Sequence, residues 1–516
     1  MYNIYYRPIW TCGHYDADTH SAIMFNLIAG MSFFFEDSAA DVIGLILRNR
    51  RETTFDLNEI TEKTGIASKS ILSFIEQLVN YGLVSNQQSH SSLVDNYRSE
   101  IQEAWVSKSS IGKRIDSSEL FTSDAEKAYI KRVNKKAAVV MFELTYDCSE
   151  KCIHCYNPGA TRNDTEKSLR CNRSKISLEQ YRKVIDELHE EGTFKVCLTG
   201  GDPFSNPHVW DIIEYLYEKE IAFEIFTNAQ GLVGKEEKLA NYFPCYVAVS
   251  IYSAIPDVHD AITRRKGSLD KSIQVLRRLQ SYCVPLIIKC VIMQTNVKTY
   301  TSVLQLAKEL HAEVQFDCRL FDSSEGDKCV SQYLRLTPQQ LQIVFRDRHG
   351  LYYVGKEVDG YGAIEHNLDE PACLTGWNNL CITPEGYVIP CCCFHAVLGD
   401  IKTQHINEII HDNETLDKLI SLKLNQYEEC GTHDYCNFCV LCPGLNFSEH
   451  GTPLKAAENN CYYAKIRHQL YKDLLNGVDP LKGKCIESAL QEMTISKSIP
   501  LKKINSNGHF NEKLQL

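Results

Sequence analysis

Between Ala137 and Cys318, six apolar runs of strand length alternate with helical stretches: Val139 to Leu144, Phe194 to Leu198, Phe223 to Phe226, Tyr246 to Ile251, Leu286 to Met293 and Val314 to Cys318. Strands separated by helices belong to a parallel sheet, because a crossover helix returns the chain to the same end of the sheet. The helix after the first strand carries its own start signal: Ser177 and Gln180 form a capping-box pair, followed by Tyr181, Val184, Ile185 and Leu188 on one face. Six such units predict an α/β chain built on a partial (β/α)6 TIM-like barrel over residues 136–325.

Chemistry enters through cysteine. The chain has 22 cysteines in 516 residues, and Met1 to Trp10 lacks the charged-then-apolar order of a secretory signal. In a large chain of this kind the thiols point to metal ligation under reducing conditions rather than to disulfides. Three of them, Cys148-x3-Cys152-x2-Cys155, follow Leu144-Thr145-Tyr146-Asp147 at the end of the first barrel strand, the end at which α/β folds carry their sites. Three thiolates hold a four-iron cube with one iron open, whereas a structural zinc site is closed by four ligands. Zinc completed by a ligand such as His154, or three incidental thiols, is the alternative.

This loop resembles the signature of the radical S-adenosylmethionine (SAM) superfamily, over roughly residues 137–325. The resemblance implies a 4Fe-4S cluster on Cys148, Cys152 and Cys155. Its open iron would chelate S-adenosyl-L-methionine, whose reductive cleavage gives a 5′-deoxyadenosyl radical. It further implies cofactor contacts from Tyr156, from the glycine motif Gly200, Gly201, Asp202 and Pro203, from Thr227, Asn228 and Ser250, and from Lys289 on the fifth strand. His259-Asp260 with Thr263, Arg264, Gly267 and Ser268 is similar to a loop of peptide-modifying members, with Arg264 reaching a carboxylate. Taken alone, Gly-Gly-Asp-Pro is an ordinary turn, and the hydroxyls and amides are ordinary structural hydrogen-bonding groups.

Beyond Pro371 periodicity weakens, and ten cysteines fall between Cys373 and Cys461. Cys373-x12-Gly386-x4-Cys391 resembles the start of the SPASM domain, an extension with two auxiliary 4Fe-4S clusters, making three clusters in all. The next part departs from that pattern, with Cys430-x5-Cys436-x2-Cys439-x2-Cys442. The expected division gives Cys373, Cys381, Cys391 and Cys442 to one cluster and Cys430, Cys436, Cys439 and Cys461 to the other, with Cys392 and Cys393 spare. A pair of zinc sites is the alternative.

At the other end, residues 1–90 read as a winged-helix-like module, with apolar runs at Tyr2 to Trp10 and Ala22 to Ile28 and helices near Ser38 to Arg48, Leu57 to Thr64 and Ser68 to Tyr81. No Lys/Arg-rich recognition helix is present, since Ser68 to Tyr81 carries only Lys69 against Glu76. The segment is similar to the RiPP recognition element, which holds the leader of a ribosomally made precursor peptide as an added strand. Such a module is expected to be separable, so that deleting residues 1–90 spares SAM cleavage. Residues 91–135 read as a linker with one solvated helix, 326–370 as a bridge, 371–470 as the auxiliary-cluster domain, and 471–516 as a helix and mobile tail.

Charge and hydropathy narrow the partners. Lys and Arg number 55 against 66 acids, a net charge of -11, so no broad basic face attracts a phosphate backbone, and nucleic acid is not expected. No apolar run spans a bilayer, so the expected location is cytoplasmic and free of membrane. The functional expectation is a peptide maturase fed by an external electron donor such as flavodoxin or ferredoxin, installing a thioether or a carbon–carbon cross-link. Two alternatives are weighed. Sulfatase maturation requires an acidic base after the Gly-x4-Cys cysteine, where this chain has Cys392. A redox-sensing winged-helix regulator would have no use for a complete radical core.

Overall fold

A computed structural model describes residues 4–88, 91–107, 123–157, 175–321, 333–371, 373 and 375–493. The N-terminal module contains β1 (Ile4–Tyr6), β2 (Thr11–Asp16), β3 (Ser21–Asn26), β4 (Met31–Glu36) and β5 (Thr54–Asp56). β2, β3 and β4 form an antiparallel sheet in that order, and β1 pairs with β5. Helices Asp37–Leu47, Leu57–Thr64 and Ser68–Asn80 lie where periodicity predicts them. The second starts on Asp56, whose side chain accepts from the Asn58 N–H, and stops at Gly65 in the left-handed conformation.

β3 is buried at every position. Ala22 and Met24 face the module's helices, while Ile23 and Phe25 face the barrel, so a two-sided apolar run results from cover on both faces. The sequence reading missed β2 and β4. β2 mixes Gly13, His14 and Asp16 with few apolar residues, and the Phe33-Phe34-Phe35 run of β4 lacks alternation.

The segment expected to be a linker is part of the core. It holds helices Ser91–Ser107 and Asp124–Val133, and the second buries Tyr129, Ile130 and Val133 against the module and Phe194. Its apolar stripe is three residues in a charged helix, too short to stand out by period. Residues 108–122 lie outside the described residues.

The barrel strands are β6 (Val139–Glu143), β7 (Lys195–Thr199), β8 (Ala222–Thr227), β9 (Val247–Ser250), β10 (Leu286–Val291) and β11 (Glu313–Asp317), all parallel and in sequential order. Beside β6 the sheet continues into β12 (Asn379–Ile382), parallel to it, and then β13 (Tyr387–Ile389) and β14 (Gly399–Asp400), both antiparallel. The cysteine-rich region therefore grows directly from the first edge of the barrel.

The N-terminal module closes the barrel floor. Trp10, Phe25 and Ile28 pack with Ala138, Val139, Phe194, Ala222 and Phe243, residues at the starts of the barrel strands. Fully buried Arg7 pairs with Glu220 and donates to the Leu47 and Asn49 carbonyls at 3.2 and 2.7 Å. Lys195 holds Glu126 at 2.6 Å and Glu224 at 3.3 Å, all three buried. The module is thus not separable as expected: deleting it would expose this apolar floor and remove Glu220's partner, a cost of several kcal/mol.

His14 at this interface reports its integrity. Its Nδ1 lies 2.6 Å from the Tyr129 hydroxyl, and burial, reinforced by His189, lowers its pKa from 6.5 to about 4. A lowered base is neutral in the fold, so its contribution is present above pH 6.5 and is lost as pH falls through about 4. Melting temperature followed against pH should fall more steeply below pH 6.5 in the wild type than in His14→Gln. Parallel curves would exclude this role.

The C-terminal part also differs from expectation. After helix Glu458–Leu475 the chain folds back, and helix Ile486–Gln491 buries Ala489 and Leu490 in the main core. The mobile tail therefore does not begin near Gly477, and residues 494–516 lie outside the described residues. Among the described residues no helix is long and apolar enough to cross a membrane.

Candidate active site and cysteine clusters

Cys148, Cys152 and Cys155 lie on the loop after β6, at the end of the barrel away from the N-terminal module. The loop is pinned by backbone bonds from Lys151 N–H to Thr263 O and from Ile153 N–H to Ile262 O, both 3.0 Å. Ile153 is buried with Tyr252, Ile262, Met293 and Leu320 beneath it. Burial raises the Cys148 thiol to about 12 and pushes Cys152 and Cys155 upward too. Three half-buried thiols in electrostatic reach of one another become thiolates together only when a cation compensates them. Among the described residues, only the sulfurs of Cys391, Cys392 and Cys393 all lie within 4.8 Å of one another. His154, the fourth ligand of the zinc alternative, is buried against Tyr252 at 4.7 Å between ring centroids, and burial lowers its pKa to about 4.

The glycine motif meets this loop. Gly200 has φ +131°, and a Cβ there would collide with the Thr145 carbonyl oxygen; at Gly201 it would stand 2.5 Å from the Asp147 oxygen. Gly201 N–H donates to Thr145 O at 2.6 Å and Asp202 N–H to Asp147 O at 3.0 Å. The glycines therefore permit a close approach to the cysteine loop's own backbone. Pro203 opens a short 3-10 turn.

Asp202 is buried, with one carboxylate oxygen accepting from Thr227 Oγ1 at 2.5 Å and the other, Oδ2, without a partner among the described residues. Burial raises its pKa to about 6. Asn228 Nδ2 donates to Cys148 Sγ at 3.1 Å, tying the third strand to the first ligand. Ser250 ends β9, beside the Tyr252 side chain. Lys289 Nζ lies 3.5 Å from the Phe226 ring centroid inside the barrel. Arg264 is exposed, in the left-handed cap of helix Pro256–Thr263, and its neighbour Arg265 instead reaches the loop, donating to Ser149 O at 2.8 Å.

Two acids escaped the sequence reading. Glu150, between the first two cysteines, is buried, accepts from Ser268 Oγ and is raised to about 7 by burial. Glu143 ends β6, accepts from the Tyr146 hydroxyl at 2.9 Å and is raised to about 8, first by burial and then by Cys392. A charged residue closing an otherwise apolar strand was the available signal for Glu143.

The downstream cysteines form two sets. Cys430, Cys436, Cys439 and Cys461 line one pocket with His366 and Tyr435, the grouping the spacing suggested. The pocket is built by fixed loops: buried Arg467 donates to Phe438 O at 2.6 Å, between two of these cysteines, and His366 Nε2 bonds Cys439 O at 3.0 Å. In the other set Cys391 lies within electrostatic reach of Cys442, which lies within reach of Cys373. Cys392 and Cys393, expected to be spare, stand in the same triad as Cys391. Cys392 lies within electrostatic reach of Cys381, Cys197, Glu143 and Tyr156.

These donors fit the groups the sequence implies. The unpartnered Asp202 Oδ2 beside the loop suits an ammonium such as that of S-adenosyl-L-methionine, and a four-thiol pocket suits an iron–sulfur cluster. Comparison with known proteins agrees. The sequence profile of the Radical SAM superfamily matches residues 142–307, and that of the SPASM iron–sulfur cluster-binding domain matches residues 373–443. The antilisterial bacteriocin subtilosin biosynthesis protein AlbA of Bacillus subtilis (strain 168) is 25% identical over 330 residues, 63% of this chain and 70% of AlbA. Mycofactocin maturase MftC of Mycobacterium tuberculosis (strain CDC 1551 / Oshkosh) is 28% identical over 204 residues, 39% of this chain and 49% of MftC. The crystal structure of Streptococcus suis SuiB bound to precursor peptide SuiA shares the fold, with TM-score 0.54 at 13% identity, over 89% of this chain and 99% of that one.

Proposed function

From a chain that is a radical S-adenosylmethionine enzyme with a C-terminal SPASM domain, we propose a maturase that installs a cross-link in a ribosomally synthesised precursor peptide. A thioether is the favoured bond, with a carbon–carbon link the near alternative. The observation that carries the reading is that Tyr156, one residue past the last loop cysteine, lies within electrostatic reach of Cys392 and Cys393 of the auxiliary set. The initiating loop and a second thiol cluster thus stand side by side, as an oxidative cross-linking reaction needs. The names of the subtilosin biosynthesis protein and mycofactocin maturase, and the precursor peptide bound to SuiB, support it.

When bound, the first cluster and S-adenosyl-L-methionine supply a 5′-deoxyadenosyl radical that abstracts hydrogen from the core peptide. The chain's own residues do the rest. Cys148, Cys152 and Cys155 would hold the cluster, Asp202 would offer its free oxygen to the methionine amine, and Asn228 orients the first ligand through its bond to Cys148 Sγ. Glu143 carries a proton at neutral pH inside the chamber, and the packed floor keeps water out from below. An external carrier such as flavodoxin or ferredoxin would deliver the electron, in the cytoplasm, where thiols stay reduced.

The leader would add to β4, the edge strand away from β2. Beside it stand Phe33 and Tyr81, 5.0 Å apart, with Met31 and Tyr81 about half exposed. Tyr81→Ala should weaken leader binding about tenfold, ~1.4 kcal/mol, by fluorescence anisotropy, and leave SAM cleavage unchanged. Unchanged binding would remove the leader from this edge. The reading as a whole is tested by anaerobic turnover with S-adenosyl-L-methionine and a reductant: 5′-deoxyadenosine is expected, and an intact cluster without that product contradicts it.

A further inference from the structure

Gln230, in the turn after β8, stands behind the hydrogen bonds that reach the first loop cysteine. Cys148 Sγ accepts from two donors, Asn228 Nδ2 at 3.1 Å and the Glu150 N–H at 3.4 Å. The second belongs to the loop itself, whose backbone is pinned at Lys151 and Ile153. The first comes from another strand and depends on what holds it. The Asn228 carbonyl accepts from Ser272 Oγ at 3.0 Å, and Ser272 Oγ accepts from Gln230 Nε2 at 2.9 Å. Gln230 Nε2 also donates to Ser268 O at 3.0 Å, and the Ser268 hydroxyl donates to Glu150. Both serines are fully buried in helix Ser268–Ser281. One side-chain amide therefore ties the end of β8, this helix and the cysteine loop together.

Partner chemistry fixes both amides. Asn228 Oδ1 accepts from the Gln230 N–H at 2.9 Å, so Nδ2 is the atom that faces the sulfur. Gln230 Nε2 faces the Ser268 carbonyl, which can only accept, while Gln230 Oε1 is buried without a partner among the described residues. An unmet buried acceptor is unfavourable, so the donor contacts hold this side chain in place against a cost. Between the two amides Ala229 has φ +67°, a left-handed conformation that a non-glycine residue keeps only where its surroundings impose it. An N–H aimed at a ligand sulfur is drawn to it more strongly once the cluster gains an electron, and hydrogen bonds to the sulfurs set a cluster's potential. The groups behind such a donor decide whether it stays aimed.

We propose that Gln230 is a positioning residue for the first cluster: through Ser272 it keeps the Asn228 amide on Cys148 Sγ and so raises that cluster's reduction potential. This rests on the reading that Cys148 is a ligand of that cluster. The test is an EPR-monitored redox titration, with iron counts, of the full-length, anaerobically reconstituted wild type, Gln230→Met, Ser272→Ala, Asn228→Leu and the Gln230→Met/Asn228→Leu double variant. The first cluster's signal is the one that Cys148→Ala removes. With full iron, Gln230→Met and Ser272→Ala should each lower that midpoint by about a tenfold change in the reduction equilibrium, ~59 mV for one electron, and leave the auxiliary midpoints fixed. The double variant should shift no further than Asn228→Leu alone, because Gln230 acts through Asn228. Full iron with an unmoved midpoint in Gln230→Met or in Asn228→Leu overturns the role, as do additive shifts in the double variant. Loss of the first cluster's iron from both Gln230→Met and Ser272→Ala also overturns it, and would make the network a scaffold of the loop. About 12 irons retained in Cys148→Ala contradicts the ligand reading itself, independently of Gln230.

Discussion

Replacing Cys152 with Ala removes 5′-deoxyadenosine formation, to the background of a protein-free reaction and by at least ~10³-fold, or ~4 kcal/mol of barrier. The loop fold does not depend on the sulfur: Ile153 is anchored in its own apolar cluster, and the backbone bonds to Thr263 and Ile262 remain. Two thiolates cannot hold the cube that keeps one iron open for a substrate, so the variant should lose about 4 of about 12 irons and keep the rest. Product quantified by chromatography and mass spectrometry beside an iron count separates loss of ligation from loss of fold. A variant that still makes product at the wild-type rate would move the cluster elsewhere.

Replacing Cys439 with Ala should have an equally large effect on a different step. Cys439 shares a pocket with Cys430, Cys436 and Cys461, and the loop around it is held by Arg467 and His366 rather than by the thiol. About 4 irons should again be lost, yet 5′-deoxyadenosine should still form, because the Cys148–Cys155 loop and Asp202 lie in the barrel and the Cys439 pocket lies in the cysteine-rich region beyond it. Cross-linked peptide should disappear, since no route remains for the second electron. Normal peptide product with the iron missing would show that the pocket is structural.

Barrel strands were legible because each is an apolar run bounded by a capped helix or a turn, a local signal that tertiary packing reinforces. The loop cysteines were legible because three ligands fall within eight residues. What could not be read was set by contacts distant in sequence. β4 and the helix at Asp124–Val133 owe their order to the module's seat on the barrel floor, where Tyr129 meets Phe194. Gly200 and Gly201 could be marked as a close approach, but only the fold shows that what approaches is Thr145–Asp147. Asp202 was marked as well, yet its free oxygen depends on where Thr227 stands. Cys392 and Cys393 looked redundant because spacing counts ligands, whereas the strands β12 and β13 decide which sulfurs converge.

The central claim is that this chamber acts on a peptide. Its most direct test is the intact mass of a small precursor peptide, encoded beside the gene, after anaerobic co-expression with the full-length enzyme. The account predicts a loss of two hydrogens per link, absent when Cys152→Ala replaces the wild type. An unchanged peptide mass, with active enzyme that still releases 5′-deoxyadenosine, would contradict it.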